Sequence, residues 1–471
     1  MIIIMKRLAY ILILALSALA CSNSSAGQKA LPVTGTFINL PYQDVRNKYT
    51  NPSDMDGTDP QMWAAKVAEM KKMGMEYLIF MSVANEEKAY YPSRLMDWHY
   101  PADRQSPVDA IMEAAAEHGM KVFMSTGWAK DQDDNLRNPK IKARQIEMME
   151  ELAGLYGGHP AFYGWYLPVE DCLGPVLTDY AVEAVNALTA RARELTPSAR
   201  ILISPYGIFN SDFDDPRYEK QLSRLEVDII AYQDEIGCVR EKYPLTNLRR
   251  NWKKLRAIHD KTGVEMWANC ETFAWEKGTN DRSSALVPAP FPRLLSQFAA
   301  ATAGGAERIV SFIMCGLFDD PESSYPLGQP EWSAKAYEDY MDWLSGDGYW
   351  ALSEEFFLGK RGPAATEDVN DPLWTIYEPG AHEIVLEDAS SEIVVRMLNC
   401  HKDGIVPPAT ISMLISEDGK EWTPAGEKQP PVWKNTGHDA FVDMVVFENL
   451  PEANHMKLAF EADNDAYLEI L

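Results

Sequence analysis

Between Thr34 and Leu344 a short apolar run gives way to a segment of helical spacing eight times over. The predicted strands are Thr34–Leu40, Tyr77–Val83, Lys121–Thr126, Phe162–Asp171, Arg200–Ser204, Val227–Asp234, Val264–Glu271 and Arg308–Ile313. The helices between and after them are predicted at Met62–Met73, Pro107–His118, Ile141–Tyr156, Asp179–Leu195, Pro216–Leu225, Leu245–Lys261, Phe291–Ala303 and Ala334–Leu344. Strands that are nearly apolar throughout belong to a parallel sheet covered on both faces. Eight such units predict a (β/α)8 barrel over residues 33–350. A doubly wound open sheet is the alternative, but its Gly-rich phosphate loop is missing where Asn39-Leu40-Pro41-Tyr42 follows the first strand. No nucleotide or other cofactor is therefore expected.

Past Gly348 the helical spacing disappears, and short strands follow at Ile384–Leu386, Ile393–Met397, Ile411–Ile415, Phe441–Phe447, Met456–Phe460 and Tyr467–Leu471. They predict a C-terminal antiparallel β-sandwich over residues 355–471. Its hairpin Ser416-Glu417-Asp418-Gly419-Lys420-Glu421-Trp422 resembles one in discoidin-like carbohydrate-binding sandwiches. Trp374, Trp422 and Trp433 either stack on sugar or serve as core and interface aromatics.

The N-terminus reads as a targeting segment. Lys6-Arg7 precedes an apolar stretch from Leu8 to Ala20, and small residues lead to Cys21 and a polar Ser22-Asn23-Ser24-Ser25. The pattern resembles a bacterial lipoprotein signal, with residues 1–21 as signal peptide, 22–32 as tether and Cys21 as the lipidated residue. Ala18 departs from the usual Leu. The implied location is the Gram-negative envelope, periplasmic or cell-surface, with membrane contact only through the anchor. No later stretch reaches the roughly 18 apolar residues that a membrane span needs.

A net charge of −26 excludes a nucleic-acid partner, which would need clustered Lys and Arg. The cysteines after Cys21 are Cys172, Cys238, Cys270, Cys315 and Cys400, without CxxC spacing. Those near strand ends, Cys172, Cys238, Cys270 and Cys315, read as small buried fillers, with a Cys238–Cys270 bridge in an oxidising compartment as the alternative. No His pair has metal-ligand spacing, so no metal is expected.

In a parallel barrel every strand end points to one face, where active sites form. That brings together Asn39, Trp128, Glu170, Tyr206, Asp234 and Glu271. Glu170 follows the apolar run Phe162–Val169, and Glu271 ends Val264–Cys270. Glycoside hydrolysis needs two carboxyl groups flanking the scissile bond, one protonated and one ionised. Glu170, Glu271 and Asp234 are the catalytic candidates, with Asp234 orienting a catalytic group or replacing Glu271. Asn39, Trp128, Tyr206, Tyr232, Trp267, Asn269 and Trp275 are the substrate-binding candidates, because rings and amides suit an oligo- or polysaccharide. Asp171 reads as a capping acid, and Asp319 and Asp320 as a loop turn.

Glutamates on strands four and seven of such a barrel resemble those of the clan A retaining glycosidases. Signal, barrel and sandwich together are similar to a family of glycosidase-like lipoproteins of Gram-negative saccharide degraders, mostly of unassigned function. The resemblance implies Glu170 as acid/base and Glu271 as nucleophile. Val169 stands where those enzymes usually have Asn, so the sugar 2-hydroxyl contact falls to another residue, with Asn269 and Asn39 as candidates. The expected function is hydrolysis of glycosidic bonds. The alternatives are a non-catalytic glycan-binding lipoprotein and a different barrel hydrolase such as a deacetylase or lyase. A GxSxG elbow, the mark of an esterase, is absent.

Overall fold

The computed structural model describes residues 30–40, 58–85, 87–130, 134–238, 245–276, 284–289, 291–314, 316–326, 330–345, 374–386, 390–400, 404–430 and 441–470. Cys21, the signal peptide, the tether up to residue 29, Cys315 and Trp433 lie outside them.

Eight strands close into a parallel barrel: β1 (Val33–Ile38), β2 (Tyr77–Phe80), β3 (Lys121–Ser125), β4 (Phe162–Tyr166), β5 (Arg200–Ile203), β6 (Ile229–Gln233), β7 (Glu265–Glu271) and β8 (Arg308–Phe312). Each pairs with its neighbours in sequence, and β8 returns to β1 through Val33↔Ile309 and Thr36↔Ser311. The helices are α1 (Pro60–Lys72), α2 (Pro107–Glu117), α3 (Pro139–Tyr156), α4 (Asp179–Leu195), α5 (Pro216–Leu222), α6 (Leu245–His259), α7 (Phe291–Ala303) and α8 (Pro330–Ser345). The sequence marks several helix starts with a side-chain cap followed by proline: Asp59-Pro60, Ser106-Pro107, Asn138-Pro139 and Asp215-Pro216. The cap oxygen satisfies an orphan N–H, and proline gives up a hydrogen bond the first turn would not make.

At the N-terminal end the barrel is plugged by rings. Tyr77 packs on Phe123, Tyr163 and Trp267 at centroid distances of 6.1, 5.7 and 5.1 Å. Lys121 and Arg308, the first residues of β3 and β8, each lie 5.1 Å from the Tyr77 ring centroid. Strands β4 and β5 approach so closely at Gly164 that a Cβ there would stand 2.1 Å from the Arg200 carbonyl oxygen.

Toward the opposite end a second layer of rings crosses the barrel. Tyr166, Phe37, Phe312 and Phe273 follow one another at 5.2, 6.2 and 6.3 Å. They form the floor of the mouth. Two small sheets decorate this end, one of two-residue strands over Ala84–Trp98 and one hairpin pairing Phe273–Trp275 with Leu286–Pro288. Strands of two or three residues are too short to leave a periodic signal, which is why the sequence reads as loop there.

The C-terminal strands are β9 (Thr375–Tyr377), β10 (Gly380–Leu386), β11 (Ile393–Asn399), β12 (Ile411–Ser416), β13 (Thr423–Lys428), β14 (Phe441–Phe447), β15 (His455–Ala462) and β16 (Ala466–Ile470). They form two antiparallel sheets, β9-β16-β11-β14 and β10-β15-β12-β13, around a core that includes Val395, Met397, Met413, Val445 and Leu458. This is a β-sandwich. In its hairpin turn Asp418 Oδ1 accepts the N–H groups of Lys420 and Glu421 at 2.8 and 3.0 Å. Trp374 is buried against Leu398, Cys400 and Ile405 as a core aromatic. The Trp422 ring is covered by Lys457 Nζ, 4.5 Å from its centroid. Among the described residues no helix is long and apolar enough to cross a membrane.

Candidate active site

Beyond β4 the chain keeps pairing with its neighbour. Tyr206 N–H donates to the Asp171 carbonyl at 3.1 Å, and Leu173 N–H to the Tyr206 carbonyl at 2.8 Å. Glu170 therefore stands on an extension of the barrel wall. Asp171 is used up as a cap, accepting the Thr178 N–H and hydroxyl at 2.7 and 3.0 Å. Glu170 is half-buried, and its Oε1 accepts from Gln233 Nε2 at 3.4 Å. The same Gln233 nitrogen donates to the Ser204 carbonyl at 3.0 Å, so one amide on β6 spans from β5 to the β4 extension. On its other side Glu170 borders a cavity of about 220 Å³, whose wall includes Trp128, Gln145 and Leu188.

Side chains alternate along β7. Trp267, Asn269 and Glu271 point into the barrel, while Cys270 points outward to Asp234. Glu271 is 4% exposed, and its Oε2 accepts the Cys238 N–H at 2.7 Å, with the Cys238 thiol as a further donor. Burial, followed by the charges of Asp234 and Glu235, pushes its carboxyl up to about 8. Near neutral pH Glu271 therefore holds its proton.

Asp234 lies outside the barrel wall, under α7, and is fully buried. Its Oδ2 accepts from Gln297 Nε2 at 2.7 Å, and its Oδ1 accepts the N–H groups of Glu271 and Ile236 at 3.0 and 3.2 Å. Burial raises its pKa against the pull of these donors. Arg293 Nη2 donates to the backbone oxygens of Glu271 and Phe273 at 3.0 and 2.6 Å. One carboxylate and one guanidinium from outside the barrel thus fix the main chain on both sides of Glu271.

Asn269 is paired in register with Gln233. Its Nδ2 donates to Ser204 Oγ at 3.0 Å, and its buried Oδ1 has no hydrogen-bond partner among the described residues. A polar seam of Gln233, Ser204 and Asn269 thus runs from Glu170 toward Glu271 across β5, β6 and β7. Among the described residues no group of His, Cys, Asp and Glu is arranged to hold a metal ion.

A family model described as "Domain of unknown function (DUF4434)" matches residues 33–325, well over half of the chain. The chain belongs to the DUF4434 family. No curated protein matches it. Among solved structures, a "putative alpha-L-fucosidase" from Bacteroides thetaiotaomicron VPI-5482 is similar at 19% identity and TM-score 0.54, over 68% of this chain and 94% of that one. At that identity the likeness is one of fold. A glycoside hydrolase family 5 protein from Bacteroides vulgatus ATCC 8482 has 13% identity and TM-score 0.42, over 88% of this chain and 86% of its own. A family 99 endo-alpha-mannosidase from Bacteroides thetaiotaomicron has 12% identity and TM-score 0.40, over 65% and 96%. These neighbours are glycoside hydrolases.

The DUF4434 barrel gathers some of the sequence-derived candidates and disperses others. Asn39 follows β1 and is half-buried, Trp128 is half-buried on the cavity wall, and Tyr206 is 38% exposed beyond β5. Trp275 is buried in the hairpin beyond β7, against Phe273 at 5.6 Å. Trp267 belongs to the aromatic plug at the far end of the barrel and does not reach the mouth. Tyr232 faces the helices, where its hydroxyl bonds Tyr218 at 2.5 Å and His259 at 2.7 Å. Height along the strand explains the first misplacement and period-two alternation the second. Trp267 points inward but four positions before the strand end, and Tyr232 has outward parity. Cys238 and Cys270 form no disulfide, because the Cys270 thiol is turned outward to Asp234 while Cys238 bonds the inward Glu271. Asp319 is no surface turn. It is buried and paired with Lys66 Nζ at 3.1 Å.

Sequence reasoning missed Gln233, Glu235, Arg293 and Gln297. Glu235 takes a left-handed backbone, φ 55°, and its Oε2 accepts the Gly207 N–H at 2.6 Å. Arg293 and Gln297 left a readable signal. They lie four residues apart on a largely apolar helix, Phe291-Pro292-Arg293-Leu294-Leu295-Ser296-Gln297-Phe298, and so share a face turned to something polar and buried.

Proposed function

We propose that this DUF4434 protein is a glycoside hydrolase acting on the O-glycosidic bonds of an oligo- or polysaccharide. Glu170 and Glu271 form its carboxyl pair, and Asp234 tunes Glu271 from behind. One observation carries the reading: at the same barrel rim, a carboxyl on β7 is held neutral near pH 7 while a second stands on the β4 extension beside a cavity. Acid catalysis of glycoside cleavage needs one carboxyl that holds its proton and a second that acts as the ionised partner.

The division of labour we favour reverses the one implied by the clan A resemblance. Glu271 carries the proton for the leaving oxygen, and Glu170 is the ionised partner. The reaction is assigned as retaining on the resemblance alone. A screen of the purified protein against aryl glycosides, with proton NMR of the first-formed anomer, tests activity and stereochemistry together. No hydrolysis of any glycoside by folded protein would reject the reading.

The near-complete burial of Glu271 favours a second reading, a glycan-binding protein on a barrel scaffold. Saturable oligosaccharide binding without turnover would support it. Lipidation at Cys21, an envelope location and a discoidin-like accessory role for the sandwich belong to the same proposal. Cys21→Ser is expected to move the protein from the membrane fraction to the soluble fraction.

A further inference from the structure

The cavity beside Glu170 is walled by two helices and two loops. Helix α4 supplies Leu188, 1% exposed, as part of its lining, and the loops after β3 and β4 supply Trp128 and Glu170. Trp128 is fixed from three directions. Gly127 before it takes φ +67°, and a Cβ there would lie 2.7 Å from both the N and O atoms of Ala84. The Trp128 N–H donates to the Ala84 carbonyl at 3.1 Å, and its Nε1 to the Pro168 carbonyl at 3.3 Å. Gln145, 4% exposed, donates to the Gly127 carbonyl at 2.7 Å and to Thr126 Oγ1. A half-exposed indole held this way is a rigid platform, and rings of this kind offer a face to an apolar surface.

Size and charge narrow the occupant. The cavity of about 220 Å³ falls below the roughly 300–1,000 Å³ of sites for drug-sized ligands, so it suits one ring and not a chain segment. Among the described residues its lining acids are Asp134 and Glu170, with no Lys or Arg. An anionic ligand would meet like charge there.

We propose that this cavity is the subsite for one ring of a neutral or amino sugar. The proposal deepens the glycosidase reading and rests on it for the role of Glu170. It is separable from that reading because binding is measured without turnover.

The test is calorimetric or fluorescence titration of the full chain with glucose, galactose, mannose, glucosamine and glucuronic acid. Saturable binding of at least one neutral or amino sugar is expected, with glucuronic acid at least tenfold weaker. Trp128→Ala and the cavity-filling Leu188→Trp should each weaken binding at least tenfold. If Leu188→Trp fails to fold, the exposed rim variant Asn135→Lys serves in its place. It should weaken glucosamine at least threefold and improve glucuronic acid.

Binding unaffected by these variants, or glucuronic acid bound as tightly as the neutral sugars, would overturn the proposal. No monosaccharide binding with aryl glycosides still hydrolysed would overturn the cavity assignment and leave the carboxyl pair standing. Binding without hydrolysis would do the reverse, and the loss of both would reject both.

Discussion

The main-chain N–H of Glu271 donates to Asp234 Oδ1 at 3.0 Å, so two acids on adjacent strands meet at one junction while their carboxyl groups occupy opposite sides of the barrel wall. The bond fixes the backbone of Glu271 and brings a buried carboxylate within range of its side chain. Like charges in low dielectric disfavour the second ionisation. Asp234 thus acts as a positioning and tuning residue for Glu271.

Stability should fall as pH rises through the window set by Glu271. Below about 4.5 its carboxyl is protonated in both folded and unfolded chains. Between about 4.5 and 8 the unfolded chain ionises while the folded one keeps its proton, so folding loses free energy as pH increases. Glu271→Gln removes this term and should flatten the decline, by on the order of a few kcal/mol at pH 8. Urea unfolding of wild type and variant at pH 5 and pH 8 measures it. An equal decline in both would contradict the assigned burial.

Asp234→Asn should lower the pKa of Glu271, because it deletes the charge that adds to burial there. The alkaline limb of kcat/KM is expected to move down by at least half a unit. An unchanged limb would detach Asp234 from the chemistry. A stability loss of about 1–2 kcal/mol should accompany it, since the buried bonds from Gln297 and the Glu271 N–H are disturbed.

Tyr232→Phe should cost about 1–2 kcal/mol of stability, through loss of the buried hydroxyl that links Tyr218 and His259. KM and kcat should not change. A selective rise in KM would mean that Tyr232 reaches substrate after all.

Gly127→Ala should destabilise by about 1–3 kcal/mol, because a side chain is strained at φ +67° and its Cβ would strike Ala84. The displaced Trp128 should raise KM more than it lowers kcat. Thermal unfolding together with steady-state kinetics separates the two effects.

The barrel was legible because each strand is apolar almost throughout and each helix has its own period. Cap-proline pairs such as Asn138-Pro139 sharpened the boundaries. The rim acids were legible for the same reason: Glu170 and Glu271 interrupt apolar runs at strand ends. Inward and outward parity was not. A strand buried on both faces shows no alternation, so nothing in Ile229-Ile230-Ala231-Tyr232-Gln233 says that Gln233 and not Tyr232 reaches Glu170. The tuning of Glu271 was legible only in part: Asp234 reads as a residue that orients a catalytic group, but Glu235 and Gln297, the α7 residue that holds Asp234, do not.

The central claim is that Glu170 and Glu271 act as a pair, with the proton on Glu271. It is tested most directly by comparing Glu170→Gln and Glu271→Gln on two glycosides of the same sugar, one with a dinitrophenyl leaving group and one with a simple alkyl leaving group. A dinitrophenolate leaves without protonation, so Glu271→Gln should retain most activity on it and lose about 10²–10⁴-fold on the alkyl glycoside. Glu170→Gln should lose both. The reverse pattern would return the proton to Glu170, and full activity of either variant on the alkyl glycoside would contradict the pair itself.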